Sequence, residues 1–257
     1  MTDSILYTRD GALARLTFNR PASLNAMGFE MGKRWRDLAH EITADDTVGA
    51  VLLDAAGPAF CAGGDVVEMA TSGAAGADVT AAAHRIHDGI RTFIESDKPV
   101  VAAVQGAVAG GGLGLMLTAD YIVAAERAKF VSKYANIGLT PDLGVSTLLP
   151  AAIGQTRALR LLLQDETIDA QTALDWGLVT ELADDPAARA AEVAGFWLQN
   201  ATAAFGQAKR LIRAGAQRAF AENLDDEART IGARFDTPES KARVAAFAAA
   251  SRRSTKE

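Results

Sequence analysis

Apolar residues recur along this chain in two rhythms, short continuous runs of strand length and stripes at helical spacing. Residues 5–8 and 13–18 are strand-like runs around Arg9-Asp10-Gly11-Ala12, whose Asp-Gly step signals a hairpin. Met27, Met31, Trp35, Leu38 and Ile42 then trace one face of an amphipathic helix. Residues 50–54 read as a buried strand, followed by a Gly57-Pro58 turn, a loop through Gly63-Gly64-Asp65 and a helical start at 66–69. Residues 70–77, rich in Ala, Gly, Ser and Thr, predict a mobile loop. Val79, Ala83, His87, Ile90 and Ile94 predict the inner face of the next helix, which stops before Pro99. A buried strand at 100–105 leads to Gly110-Gly111-Gly112, and two more strands are expected at 121–125 and 129–131.

This alternation of strand, loop and helix predicts an α/β fold with helices against sheet. Beyond Gly154 the pattern turns helical: residues 156–164, 169–176 with Asp169 as N-cap, and most of 186–250, with one short strand at 179–182. The division expected is a core over residues 1–200 and a helical region over 201–257.

Composition narrows the function classes. With 49% hydrophobic and 23% charged residues, the 257-residue chain is globular throughout. A net charge of -6 provides no positive field for nucleic acid, so a polyanionic ligand must be held by local cations and backbone N–H groups. Cys61 is the single cysteine, which rules out an internal disulfide and fits a reducing compartment. Asp3 and Asp10 stand where a signal peptide needs a basic start and an apolar run, and apolar runs are too short for a membrane span. A cytoplasmic protein without a membrane or nucleic-acid partner is therefore expected.

Candidate chemistry lies at two glycine turns. Phe60-Cys61-Ala62-Gly63-Gly64-Asp65 and Gly110-Gly111-Gly112 each follow a strand and enter a helix. Such turns let backbone approach a ligand and leave N–H groups pointing outward. Two such turns side by side can grip one oxygen that gains charge, as a thioester oxygen does when a proton leaves its α-carbon. Each turn alone reads more readily as a structural tight turn, and neither carries a nucleotide-binding glycine pattern.

Asn19-Arg20-Pro21 with Asn25-Ala26, the stretch Phe60 to Asp65, Pro99 to Gly112, and Ala173 with Gly177-Leu178-Val179 closely resemble the crotonase family of enoyl-CoA hydratases and isomerases. The resemblance spans nearly the whole chain. It implies a spiral of strand-strand-helix turns and a homotrimer or dimer of trimers docked through the C-terminal helices, which also cover the CoA site. It further implies an acyl-CoA thioester as substrate and no cofactor or metal, coenzyme A being part of the substrate. The two oxyanion donors fall on Gly64 and Gly111.

Family hydratases use two glutamates, and those positions fall on Gly114 and Tyr134. Neither can act as a carboxylate, which puts ordinary hydration in doubt. Asp142, in Gly138-Leu139-Thr140-Pro141-Asp142, reads on its own as a helix N-cap. With Leu149-Pro150, that stretch resembles the ring-epoxyphenylacetyl-CoA isomerase and double-bond isomerase branch, where the matching aspartate carries a proton between carbons.

An acyl-CoA isomerase using Asp142 is the favoured reading, with hydratase and catalytically silent acyl-CoA scaffold as rivals. His87 reads as a core histidine. It also stands where the family's 4-chlorobenzoyl-CoA dehalogenase has its base, with Asp142 at that enzyme's nucleophile, so dehalogenation stays open. Tyr134 replaces a tryptophan there, and Gly64 a phenylalanine. Tyr134 can line the acyl pocket or donate a hydrogen bond, and Glu68 is a spare carboxylate or a first-turn acid. The resemblance places CoA against Ala22, Leu24, Asn25, Ala62, Asp65 and Val66. Arg20, Lys209, Arg210 and Arg213 read as solvated surface charge.

Overall fold

The computed structural model describes residues 3–254. The chain opens with the antiparallel hairpin β1 (Ile5–Asp10) and β2 (Leu13–Phe18), followed by α1 (Phe29–Ala44). Three strand pairs come next: β3 (Ala50–Ala55) with β4 (Ala59–Cys61), β5 (Val100–Val104) with β6 (Ala107–Ala109), and β7 (Tyr121–Ala124) with β8 (Lys129–Val131). Between them lie α2 (Val66–Thr71), α3 (Gly76–Glu95) and α4 (Gly112–Met116). Then follow α5 (Val145–Ile153), α6 (Gln155–Leu163), β9 (Thr167–Asp169), α7 (Ala170–Trp176) and β10 (Glu181–Leu182).

The first strand of each pair joins a six-stranded sheet, β1-β2-β3-β5-β7-β10, and the second joins a four-stranded sheet, β4-β6-β8-β9. Each turn of chain therefore contributes one strand to each sheet and then a helix. This is the spiral that the resemblance implied. The small sheet was missed in sequence at β4, β6 and β9, because three-residue strands are too short to show a period.

Both faces of the large sheet are covered. Val51, Leu53, Ala102 and Val104 pack into the main core with Trp35, Leu38, Ile86 and Phe93 of α1 and α3, while Leu52, Val101, Ala103 and Val123 pack against α8 (Pro186–Gln199). Strands buried on both faces read as unbroken apolar runs, which is why β3 and β5 stood out in the sequence. The Trp35 ring lies between Phe18 and Phe93, with centroids at 6.0 and 5.2 Å.

The C-terminal helices are α9 (Thr202–Gly215), α10 (Phe220–Phe235) and α11 (Pro238–Ser254). Three basic residues expected to be solvated instead fasten this region. Lys209 is buried, its Nζ donating to the carbonyls of Phe93 and Lys98 at 2.6 Å each and facing Asp120 at 3.4 Å. Arg213 pairs with Asp120, and Arg210 with Asp226. The long aliphatic stems let these cations lie along apolar surface while their heads meet carbonyls and carboxylates. Among the described residues, no helix is long and apolar enough to cross a membrane.

Two further expectations are corrected. Met27 precedes α1 and forms an isolated parallel bridge with Gly64. The buried face of α3 is Ala82, Ile86, Gly89, Ile90 and Phe93, so His87 lies on its flank. The apolar stripe alone could not separate these registers, because alanines fill both.

Candidate active site

The small sheet brings the site together. Its strands β4, β6 and β8 are parallel neighbours, so the segments leaving their C-terminal ends lie side by side. These segments carry Gly64, Gly111 and Asp142 respectively. The first two turns touch: a Cβ built on Gly63 would sit 3.1 Å from the Gly111 nitrogen.

Both amides are open. The Met27 bridge uses the Gly63 carbonyl and the Asp65 N–H, at 2.7 and 3.1 Å, and leaves the Gly64 N–H facing away from Met27. Gly111 precedes α4, where a helix has no internal acceptor for its first N–H groups. Neither amide donates a hydrogen bond to a protein group among the described residues. Two adjacent unpaired donors can stabilise an oxygen that develops negative charge.

The segment Asp142-Leu143 lies directly over α4. A Cβ on Gly111 would come within 3.1 Å of Asp142 Oδ1 and 2.6 Å of Leu143 Cδ1, and one on Gly114 within 1.8 Å of the Leu143 carbonyl oxygen. At Gly114 the contact is with backbone, so glycine is needed there for this approach, whereas at Gly111 it is with side-chain ends. No carboxylate side chain fits at Gly114 without moving the Leu143 backbone.

Tyr134 is buried, and its hydroxyl donates to Asp142 Oδ1 at 2.6 Å while accepting the Asp142 N–H at 3.2 Å. Burial raises the Asp142 carboxyl above the ordinary range, against the opposing effects of the Tyr134 hydrogen bond and of His87. Burial, then the neighbouring carboxylate charge, likewise raises the Tyr134 phenol, which keeps it a hydrogen-bond donor. Asp142 is not the N-cap that its sequence context suggested: α5 starts at Val145 with Gly144 as cap, and the Asp142 side chain faces Tyr134 instead.

His87 reaches the same segment from α3, its Nε2 accepting the Leu143 N–H at 3.0 Å. Burial lowers its pKa, with the Asp142 charge opposing and His84 adding to the shift. It is therefore a half-buried neighbour of Asp142, not a residue enclosed in the core. Glu68 serves structure: its Oε2 accepts the Phe29 N–H at the start of α1.

Beside Gly64 opens a cleft of about 800 Å³ lined by Arg20, Ala22, Leu24, Ala62, Asp65 and Val66, among others. Its size suits a nucleotide-sized group. Asn25 does not line it. The Asn25 side chain is fully buried, accepting from the Arg20 N–H and donating to the carbonyls of Ala56 and Ala59, so it shapes the loop from inside. Asp65 caps α2 through the Glu68 N–H and pairs with Arg20 at 2.8 Å. Burial raises the Asp65 carboxyl, but these partners outweigh it and hold the pKa below the ordinary value. The Arg20–Asp65 pair was missed in sequence because no local spacing links residues so far apart.

A small cavity of about 20 Å³ separates Gly64 and Asp142 from Met69, Ala83 and Ile86. An acyl group entering there must displace some of these side chains. Met69 is the adaptable one, with a flexible thioether end 3.0 Å from where a Gly64 Cβ would lie. Cys61 beneath the turn is buried, and burial pushes its thiol up to about 12, so it stays a protonated packing residue.

The family profile described as Enoyl-CoA hydratase/isomerase matches residues 8–254. The chain belongs to this family, the crotonases. Among crotonases it is 32% identical over 231 residues to the 1,2-epoxyphenylacetyl-CoA isomerase of Escherichia coli K12, covering 88% of each chain. It is 35% identical over 184 residues to the trans-2-decenoyl-[acyl-carrier-protein] isomerase of Streptococcus mutans, covering 70% of this chain and 69% of the other. The crystal structure of an enoyl-CoA hydratase from Polaromonas sp. JS666 superposes with a TM-score of 0.88 at 30% identity, covering 95% and 96% of the two chains. The protein is thus an enzyme of the enoyl-CoA hydratase/isomerase family with the α/β crotonase fold and C-terminal helices.

Proposed function

We propose that this crotonase is an acyl-CoA isomerase that shifts a carbon–carbon double bond, or rearranges an activated ring, through a thioester enolate. The carrying observation is the placement of Asp142 over Gly111, while the nearby Asp65 is held by Arg20 and the Glu68 N–H and Glu68 accepts the Phe29 N–H; the positions that the family resemblance gives to the hydratase glutamates are Gly114, with no room for a side chain, and Tyr134, bonded to Asp142. Hydration requires a group to activate water and another to protonate the α-carbon. Isomerisation requires one group that takes a proton and returns it.

In this reading the thioester oxygen lies between the N–H groups of Gly64 and Gly111. For a 3-enoyl thioester, Asp142 removes a proton from the α-carbon, and the electron pair of that C–H bond delocalises onto the thioester oxygen and the conjugated chain. The same proton then returns from Asp142 to the γ-carbon, giving the 2-enoyl thioester with no net gain or loss of atoms. A carboxyl with a raised pKa binds the proton well enough to carry it, and general acid–base assistance of this kind contributes about 10²–10⁴-fold. The Tyr134 hydrogen bond keeps the ionised form accessible.

Coenzyme A is assigned to the cleft along Ala22, Leu24, Ala62, Asp65 and Val66, with no further cofactor. Self-association through the C-terminal helices is supported by α10, where Phe220, Leu224, Ile231 and Phe235 are all exposed. The division into a catalytic core and a C-terminal docking region rests on the same surface.

The test is Asp142→Asn assayed on a 3-enoyl-CoA by ultraviolet absorbance. Isomerisation is expected to fall by about 10²-fold or more, with thioester binding retained. Unchanged turnover in that variant, or faster hydration of crotonyl-CoA than isomerisation by the native protein, would remove the reading. Retained binding with no turnover of any thioester would leave an acyl-CoA scaffold.

A further inference from the structure

His87 is the chemically capable group nearest Asp142 that the proposed proton shuttle does not use. A neutral imidazole has one ring nitrogen with a free lone pair and one carrying hydrogen. Here Nε2 accepts the Leu143 N–H at 3.0 Å, so Nε2 is the unprotonated nitrogen and Nδ1 carries the hydrogen. The one lone pair able to take a proton already faces a backbone donor. That arrangement leaves no base for activating water, as a dehalogenase-type reaction through His87 and Asp142 would require.

The hydrogen bond has a structural object. Leu143 has φ +49°, in the left-handed region that a residue with a Cβ rarely adopts, and it is followed by Gly144 at +83°. Residues held this way need surroundings that over-determine them. Leu143 has three such restraints: His87 on its N–H, α4 against its carbonyl oxygen at Gly114, and Gly111 beneath its side chain, which is 1% exposed. A different peptide orientation at Leu143 would turn the preceding residue, Asp142, away from Tyr134 and from Gly111.

We propose that His87 is a positioning residue, which by accepting the Leu143 N–H holds that residue in its left-handed conformation and so fixes the aim of the Asp142 carboxylate. This rests on Asp142 being the proton carrier. The ring is flanked by the two titratable groups Asp142 and His84, the latter edge-to-face at 6.3 Å between centroids.

Two substitutions separate positioning from proton transfer. Glutamine at 87 offers a carbonyl oxygen near the place of Nε2 but cannot act as a base, whereas methionine or leucine offers neither. In His87→Gln, isomerase kcat is expected within about threefold of native, and in His87→Leu or His87→Met it is expected to fall about 100-fold with KM little changed, as for a misaimed catalytic group. Hydrogen exchange at the Leu143 amide gives a readout independent of turnover. It is expected to quicken about tenfold or more in the apolar variants and to return to the native rate in His87→Gln.

Equal loss of activity in His87→Gln and the folded apolar variant would make His87 a base and overturn the proposal. Full activity in both, or a Leu143 amide whose exchange ignores the substitutions, would overturn it as well. Should Asp142→Asn retain isomerase activity, the proton-carrier reading fails by itself, and the Leu143 amide still decides whether His87 holds the segment. Thermal melts and CoA binding identify which apolar variant is folded, and that one is used.

Discussion

The Tyr134 hydroxyl stands 2.6 Å from Oδ1 of Asp142, so a buried phenol is tied to the carboxylate that lies over Gly111. Its hydrogen bond lowers the Asp142 pKa while burial raises it. In Tyr134→Phe burial acts with less opposition, and the Asp142 pKa rises. Because the base must be ionised, the acid limb of the kcat/KM profile for 3-enoyl-CoA isomerisation is expected to move to higher pH. An acid limb that stays in place or moves down would show that Tyr134 does not set this carboxyl.

Asp142 also bears on stability. Its folded-state pKa is raised, so the folded protein holds this proton more tightly than the unfolded chain. The stability gained is fully present below the unfolded carboxyl value of about 3.9, and is lost as pH rises through the folded value. At pH 7 the ionised group therefore opposes folding. Asp142→Asn keeps an acceptor for Tyr134 without the charge, and is expected to melt higher than native at pH 7. The difference should shrink at pH 4, as differential scanning calorimetry can measure.

A glutamate placed at position 114 is expected not to create a hydratase. In Gly114→Glu the new Cβ falls 1.8 Å from the Leu143 carbonyl oxygen, so the segment carrying Asp142 has to move. Crotonyl-CoA hydration stays at background, and isomerisation drops by about 10²-fold. Assays of both reactions on the one variant check this, and efficient hydration would show that the segment yields without loss.

Lys209→Met removes the cation that joins α9 to the end of α3 and the start of β5. The Lys98 carbonyl loses its donor, at a cost of about 1–3 kcal/mol for a buried group left unpaired, while the Phe93 carbonyl keeps the Ser96 hydroxyl. At about 2–4 °C per kcal/mol for a chain of this size, the melting temperature is expected to fall by several degrees. An unchanged melt would mean that Arg213 and Asp120 carry the junction alone.

Much of this was visible in the chain. The long stripe of α1 and the unbroken runs of β3 and β5 gave the α/β layering, and two glycine turns gave the candidate oxyanion donors. Other features depend on partners distant in sequence. Nothing local shows that Asn25 is satisfied by Ala56 and Ala59, that Lys209 meets Phe93 and Lys98, or that His87 meets Leu143. Asp142 has the residue type of an N-cap, and only the packing of Leu143 on α4 displaces the helix start to Val145. Local pattern found the elements and the reactive residue types, whereas the small sheet decided which of them meet.

The open donors of Gly64 and Gly111 are peptide groups, and a peptide group survives every side-chain exchange except one to proline. If these donors hold the thioester as proposed, replacement of the side chains around them one at a time leaves this anchorage in place. A scaffold so built can change its chemistry without first surrendering its hold on the reactant.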